Sequence, residues 1–146
     1  VTTVAEPVIV DLEIPPGSAY VAVVRLVVAA LARGAGMEDE AVEELKIALS
    51  EACTNAVLVH EEASLDDPVS VRWIEEPDRF LVEVADRGPA PDASNPENEF
   101  DSQGFSSRMM MSRVLLEALI DECEFIARPQ GGTITRLIVG RGPQPD

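Results

Sequence analysis

The run Leu49-Ser50-Glu51-Ala52-Cys53-Thr54-Asn55-Ala56-Val57 holds two groups able to do chemistry in a setting of small and apolar residues. At a spacing of four, Glu51 and Asn55 share one face of a helix. They lie beside the apolar stripe, where a solvated charge is unexpected. A carboxylate one turn from a carboxamide can place a proton acceptor beside an oxygen ligand for Mg²⁺. The spacing alone fits an ordinary surface pair equally well. Two further clusters come later in the chain: Asp86-Arg87-Gly88 directly after a strand-like run, and Gly132-Thr133 directly before another. Other templates fit poorly. A Ser–His–Asp arrangement would have to use His60, and no nucleophile-elbow phrase exists. There is no G-x-x-x-x-G-K-[ST] phosphate loop, and Lys46 lies mid-helix. Cys53, Cys123 and one His give no metal-ligand spacing, so the cysteines read as buried thiols. His60, near the end of its helix, reads as a group favoured by the helix dipole or a cap.

The elements that must position these groups follow from periodicity and breakers. Val8 to Ile14 has strand composition, and Pro15-Pro16-Gly17 ends it. A helix runs from about Ser18 to Arg33, with Gly34 as its stop and Tyr20, Val24, Val27, Val28 and Leu31 at helical spacing. A second helix opens at Asp39 or Glu40 and runs to about Val59. Its inner stripe is Val42, Leu45, Leu49, Ala52, Ala56 and Val59. Val69 to Glu75 and Phe80 to Ala85 alternate as strands and form a hairpin around Glu76-Pro77-Asp78-Arg79. From Asp86 to about Ser107 the chain is rich in Gly, Pro, Asp, Asn and Ser, the composition of a lid. A third helix covers about Arg108 to Ile120. Met109, Met110 and Met111 there read as core or lid packing, with a partner contact as the other option. Two last strands, Glu122 to Ala127 and Thr133 to Val139, flank Pro129-Gln130-Gly131-Gly132. The order β-α-α-β-β-lid-α-β-β predicts an α+β two-layer sandwich: a mixed, mostly antiparallel sheet covered on one face by three helices.

The chain has 146 residues, 11 basic and 27 acidic, for a formal net charge of −16. That length fits one domain, residues 1–146, with a core over about 8–140 and a flexible tail at 141–146. The acidic balance argues against binding nucleic acid through its phosphates, and against an anionic membrane surface. No apolar run reaches the roughly 18 residues of a membrane span; residues 19–32 come closest, and Arg25 interrupts them. With no charged-then-apolar leader in view, a cytoplasmic location is expected.

Three phrases, LKIALSEACTNAV (Leu45 to Val57), VEVADRGP (Val82 to Pro89) and GGTITRL (Gly131 to Leu137), together carry a resemblance. In that order they resemble the N box, G1 box and final Thr of the GHKL, or histidine-kinase-like, ATPase superfamily. Within it the chain is similar to the bacterial anti-sigma-factor serine kinases of the RsbW type, over roughly residues 8–140. The resemblance implies the Bergerat ATPase fold, with ATP and Mg²⁺ as cofactors. It makes Glu51 the general base that takes the proton of a partner's Ser or Thr hydroxyl. Asn55 would hold Mg²⁺ against the nucleotide phosphates. Asp86 would accept from the adenine amino group, Gly88 would let the base approach the backbone, and Thr133 would support that contact through water. Arg108 at the third helix is available to an anion, and Gly104 supplies flexibility before it. Arg25 on the first helix would anchor partners.

The implied function is partner switching in transcription regulation of the stress-response kind. The protein would sequester an alternative sigma factor and phosphorylate a Ser or Thr of a STAS-type anti-anti-sigma partner. It would act as a homodimer pairing through the sheet layer, for which exposed Val and Ile positions on strands 8–14 and 69–75 would serve. One departure stands out. Met110 and Ser112 occupy the places where the family's G2 box has glycines that wrap the phosphates. The competing reading is therefore a kinase-inactive, binding-only anti-sigma regulator on the same fold.

Overall fold

A computed structural model describes residues 6–88 and 107–142; the lid segment, the two termini and Gly104 lie outside the described residues. Five strands form one sheet: β1 (Val8–Ile14), β2 (Val69–Glu75), β3 (Arg79–Ala85), β4 (Glu122–Ala127) and β5 (Thr133–Gly140). Their order across the sheet is β1-β2-β3-β5-β4, and each of the four pairings is antiparallel. Three helices accompany it: α1 (Val21–Gly34), α2 (Asp39–Glu62) and α3 (Ser107–Leu119).

Alternation on the strands sorts the two faces. Val69, Val71 and Trp73 of β2 and Phe80, Val82 and Val84 of β3 are buried, and they pack with the α2 stripe of Val42, Leu45, Leu49, Ala52 and Ala56. The Trp73 and Phe80 rings stack with centroids 5.3 Å apart. Each large side chain fully buried in this layer is worth about 1.5–3 kcal/mol. Cys53 and Cys123 are both buried free thiols, and burial pushes their pKa values up to about 12 and about 11. The opposite face carries an alternating row across all five strands: Asp11, Arg72, Glu83, Arg136, Glu124. Arg72 meets Asp11 at 2.7 Å, and Arg136 meets Glu83 at 2.7 Å and Glu124 at 3.1 Å. Of the Val and Ile positions on β2, Val69 and Val71 are buried and Ile74 is half-buried, so the exposed apolar positions expected there are not found. Val8 and Ile9 on edge strand β1 are half exposed.

The first helix differs from its expected form at both ends. Ser18 begins a short 3-10 turn (Ser18–Tyr20), and α1 proper starts at Val21 without a side-chain cap. Gly34 is still helical; the chain turns at Gly36, with φ +92°. There the Met37 and Gly36 amides donate to Ala32 and Arg33, the paired closure of a Schellman cap. Tyr20 is exposed, and the buried stripe is Val21, Val24, Val28, Ala29 and Ala32. Nor does the chain fray at Gly140. The Arg141 amide donates to Asp78, and its guanidinium lies 4.9 Å from the Phe80 ring centroid. No helix of the described residues is long and apolar enough to cross a membrane.

Helix α2 closes with the same Schellman pattern, but its left-handed residue is Ser64, at φ +54°. A side chain in that region costs roughly 1–2 kcal/mol. Ser64→Gly is therefore expected to raise stability by about 1 kcal/mol, read as a higher urea midpoint with unchanged slope.

Candidate functional site

The site is assembled along α2. Its inner stripe is packed against the sheet, and Glu51 and Asn55 sit half-buried on the flank that faces α3. Ser112 enters from α3, with 5% of its surface exposed. Its Oγ donates to Glu51 Oε1 at 2.9 Å and receives the Asn55 amide at 2.8 Å. The carboxylate and carboxamide, one helical turn apart, are thus bound to a single hydroxyl.

Asp86 follows the last residue of β3 and is 9% exposed. Its amide donates to the Thr133 carbonyl at 3.0 Å, continuing the β3–β5 ladder by one step. Its Oδ1 accepts the Gly88 amide at 3.0 Å and the Thr133 amide at 3.2 Å. Arg128 holds the Asp86 carbonyl at 3.0 Å. Burial raises the Asp86 carboxyl above its ordinary 3.8, while the two amide bonds oppose the rise. Among the described residues Oδ2 has no hydrogen-bond partner.

Two glycines make this turn possible. A Cβ at Gly132 would stand 2.1 Å from the Asp86 carbonyl oxygen, and the residue has φ +97°. A Cβ at Gly88 would stand 2.2 Å from Val59 Cγ1. The end of α2 therefore touches the Asp86 loop directly. His60 reinforces the contact and is fully buried. Its Nε2 accepts the Arg87 amide at 2.9 Å, so that nitrogen carries no proton and Nδ1–H donates to the Asp67 carbonyl, also at 2.9 Å. The expectation of an end-of-helix dipole or cap group is corrected here. At position 60 the ring is buried and pairs the backbones of two loops, through the Asp67 carbonyl and the Arg87 amide.

Arg108 is exposed and meets Glu62 at 2.5 Å, at the end of α2. Arg25 is exposed on α1, with Nη1 3.4 Å from Ser50 Oγ. It borders a groove of about 520 Å³ between α1 and α2, alongside Leu26, Lys46 and Ile47. Glu51, Asn55, Asp86, Gly88 and Thr133 are thus joined through α2 and the β3–β5 end; Arg25 lies apart from them. Arg128 and Val59 carry no signal as site residues in the sequence, His60 only that it is polar inside a helical apolar pattern, and Ser112 stands out there only as a departure from the expected glycine pattern.

The residues suit a purine nucleotide. Among the described residues a buried carboxylate keeps one oxygen without a partner, and Gly88 and Gly132 lie beside it where side chains would collide. Among the described residues no cluster of three or more acidic, His or Cys side chains could cage a metal.

Residues 14–139 match the family model for the histidine kinase-like ATPase domain. The serine-protein kinase RsbW of Listeria monocytogenes is 31% identical over 119 residues, covering 77% of this chain and 76% of the relative. The namesakes from Bacillus licheniformis and Bacillus subtilis are 34% and 32% identical, each covering 77% of this chain and 74% of the relative. A solved structure of the RsbU and RsbW domains of Rv1364c from Mycobacterium tuberculosis shares the fold, with a TM-score of 0.64 at 17% identity. It aligns with 92% of this chain, which spans 32% of that larger one.

Two outcomes test the geometry. Gly88→Ala should lower stability by about 1–3 kcal/mol, and Val59→Ala in the same chain should restore most of it; urea midpoints read both. Asp86→Asn should be at least as stable as the parent at pH 7. The raised carboxyl favours the folded state below its unfolded pKa, and that contribution is lost as pH rises through the folded value. The margin between variant and parent should therefore shrink as pH falls towards 3.8, measured by denaturation across pH.

Proposed function

Because this chain belongs to the histidine kinase-like ATPase family, and aligns over most of its length with RsbW serine-protein kinases, we propose that it is an ATP-dependent protein serine/threonine kinase that also acts as an anti-sigma factor. The observation that carries the reading is the convergence on one helix. The middle of α2 bears Glu51 and Asn55, and its end clamps the Asp86 turn through Val59 and His60.

A bound nucleotide would supply the phosphoryl group, with Mg²⁺ offsetting the phosphate charge. The chain's own groups do the rest by position and electrostatics. Asp86 Oδ2 accepts the adenine amino group, Gly88 and Gly132 admit the base to the backbone, and Thr133 supports that contact. Asn55 presents an oxygen to the cation. Glu51 would take the proton of the incoming Ser or Thr hydroxyl, whose oxygen would gain the phosphoryl group as the bond to the departing nucleoside diphosphate breaks. Arg108 serves the phosphates by leaving Glu62.

The protein acceptor is a STAS-type anti-anti-sigma partner, and the captive is a sigma factor. Arg25 and the apolar rim of the α1–α2 groove form the partner anchor. Phosphorylation of the antagonist adds charge that breaks its complex, so the sigma factor stays held. The working unit is a homodimer, located in the cytoplasm. A second reading, a binding-only regulator, has an observation in its favour: Met110 and Ser112 stand where phosphate-wrapping glycines are expected.

Calorimetric titration with ATP and Mg²⁺ separates the two. Submillimolar binding supports the kinase, and no heat supports the binding module. Glu51→Ala should keep nucleotide binding and cut transfer to a purified STAS partner by roughly 10²–10⁴-fold. Transfer at the parent rate would remove Glu51 from the base role.

A further inference from the structure

Ser112 stands between the two groups assigned to chemistry, and its hydroxyl dictates how they point. An ionised carboxylate has no proton to give. Ser112 Oγ must therefore donate to Glu51 Oε1. Having spent its one proton, the hydroxyl can only accept from Asn55. The Asn55 atom facing it is then Nδ2, and Oδ1 is turned away. Nitrogen and oxygen of a carboxamide are assigned from their partners, and here the carboxylate at the start of the series settles the assignment. Among the described residues neither Glu51 Oε2 nor Asn55 Oδ1 takes a hydrogen bond.

We propose that Ser112 is a positioning residue for the cation site: its hydroxyl locks the Asn55 carboxamide with Oδ1 presented to the Mg²⁺ of a bound nucleotide. The proposal rests on the nucleotide reading above and deepens it. At 5% exposure, Ser112 is poorly open to replacement by water. Without the hydroxyl, Asn55 is free to turn its amide N–H groups, which repel a cation, towards the site. The same bond steadies Glu51 through Oε1 and leaves Oε2 for an incoming hydroxyl. The residue that departs from the family's glycine pattern thus takes on work that a glycine has no side chain to do.

The test is calorimetric titration of the full chain with ADP, once in EDTA and once in excess Mg²⁺. The ratio of the two affinities is the gain through the cation. In Ser112→Ala the EDTA affinity should match the parent, while the Mg²⁺ gain falls roughly tenfold, as when the partner that orients a metal ligand is removed. A role confined to packing would lower both affinities together. Ser112→Cys keeps the volume but offers only a weak donor and acceptor. It should lose the gain too, and it stands in for Ser112→Ala should that variant fold poorly. A Mg²⁺ gain that is unchanged or larger in these variants overturns the proposal, since the hydroxyl is then a filler or a competitor. A parent chain that binds ADP equally well in EDTA and in Mg²⁺ also overturns it and leaves the nucleotide site standing. No binding by the parent in either buffer instead overturns the nucleotide reading itself.

Discussion

Backbone meets backbone at the end of the β3–β5 ladder more closely than any side chain would allow. Gly132, in a left-handed conformation, lies against the Asp86 carbonyl, and Asp86 and Thr133 exchange hydrogen bonds across the gap. This approach brings a carboxylate into a nearly closed setting. Burying a charge is costly unless it is hydrogen-bonded. Here one oxygen takes two amide donors, and the other has no hydrogen-bond partner among the described residues. The raised pKa records that desolvation outweighs those two bonds.

Helix α2 transmits this constraint to the rest of the site. It runs from Asp39 to Glu62, roughly 36 Å at 1.5 Å per residue. One stripe anchors it in the core, so the positions of Glu51, Asn55, Val59 and His60 are not independent. His60 bridges Asp67 and Arg87 with both ring nitrogens, which ties the loop after α2 to the loop after β3. Asp39 and Glu40 in the first turn suit the positive end of the helix dipole. On the far side of the sheet, acidic and basic residues alternate across all five strands. Much of the surplus negative charge must therefore lie elsewhere on the surface. Exposed pairs of this kind stabilise by only about 0.2–1 kcal/mol each, so the row defines a polar face more than it holds the sheet together.

Most elements were legible because their signals are local. Strand composition placed β1, and period-two alternation β2, at their observed bounds, and α2 followed from an unbroken helical stripe. Where reading failed, the local signal was ambiguous or the deciding contact was distant. Gly34 looked like the stop, but it is the last helical residue, and the Schellman turn closes two positions later at Gly36. Tyr20 has the right spacing for the core, yet it precedes α1 in a 3-10 turn and faces solvent. His60 read as an end-of-helix group because nothing local shows which way the end of α2 points.

The residues alone determined the strand and helix pattern and the two-layer architecture, since periodicity is written in neighbouring positions, and a family resemblance marked Glu51, Asn55, Asp86, Gly88 and Thr133 as candidates. They did not determine that Ser112 binds Glu51 and Asn55 from 57 to 61 residues away, or that Val59 and His60 grip the Asp86 turn. Those contacts exist only once α3 and the β3 end are packed on α2. A hydroxyl or an imidazole has no partner preference until packing removes water and leaves one geometry that satisfies every donor and acceptor.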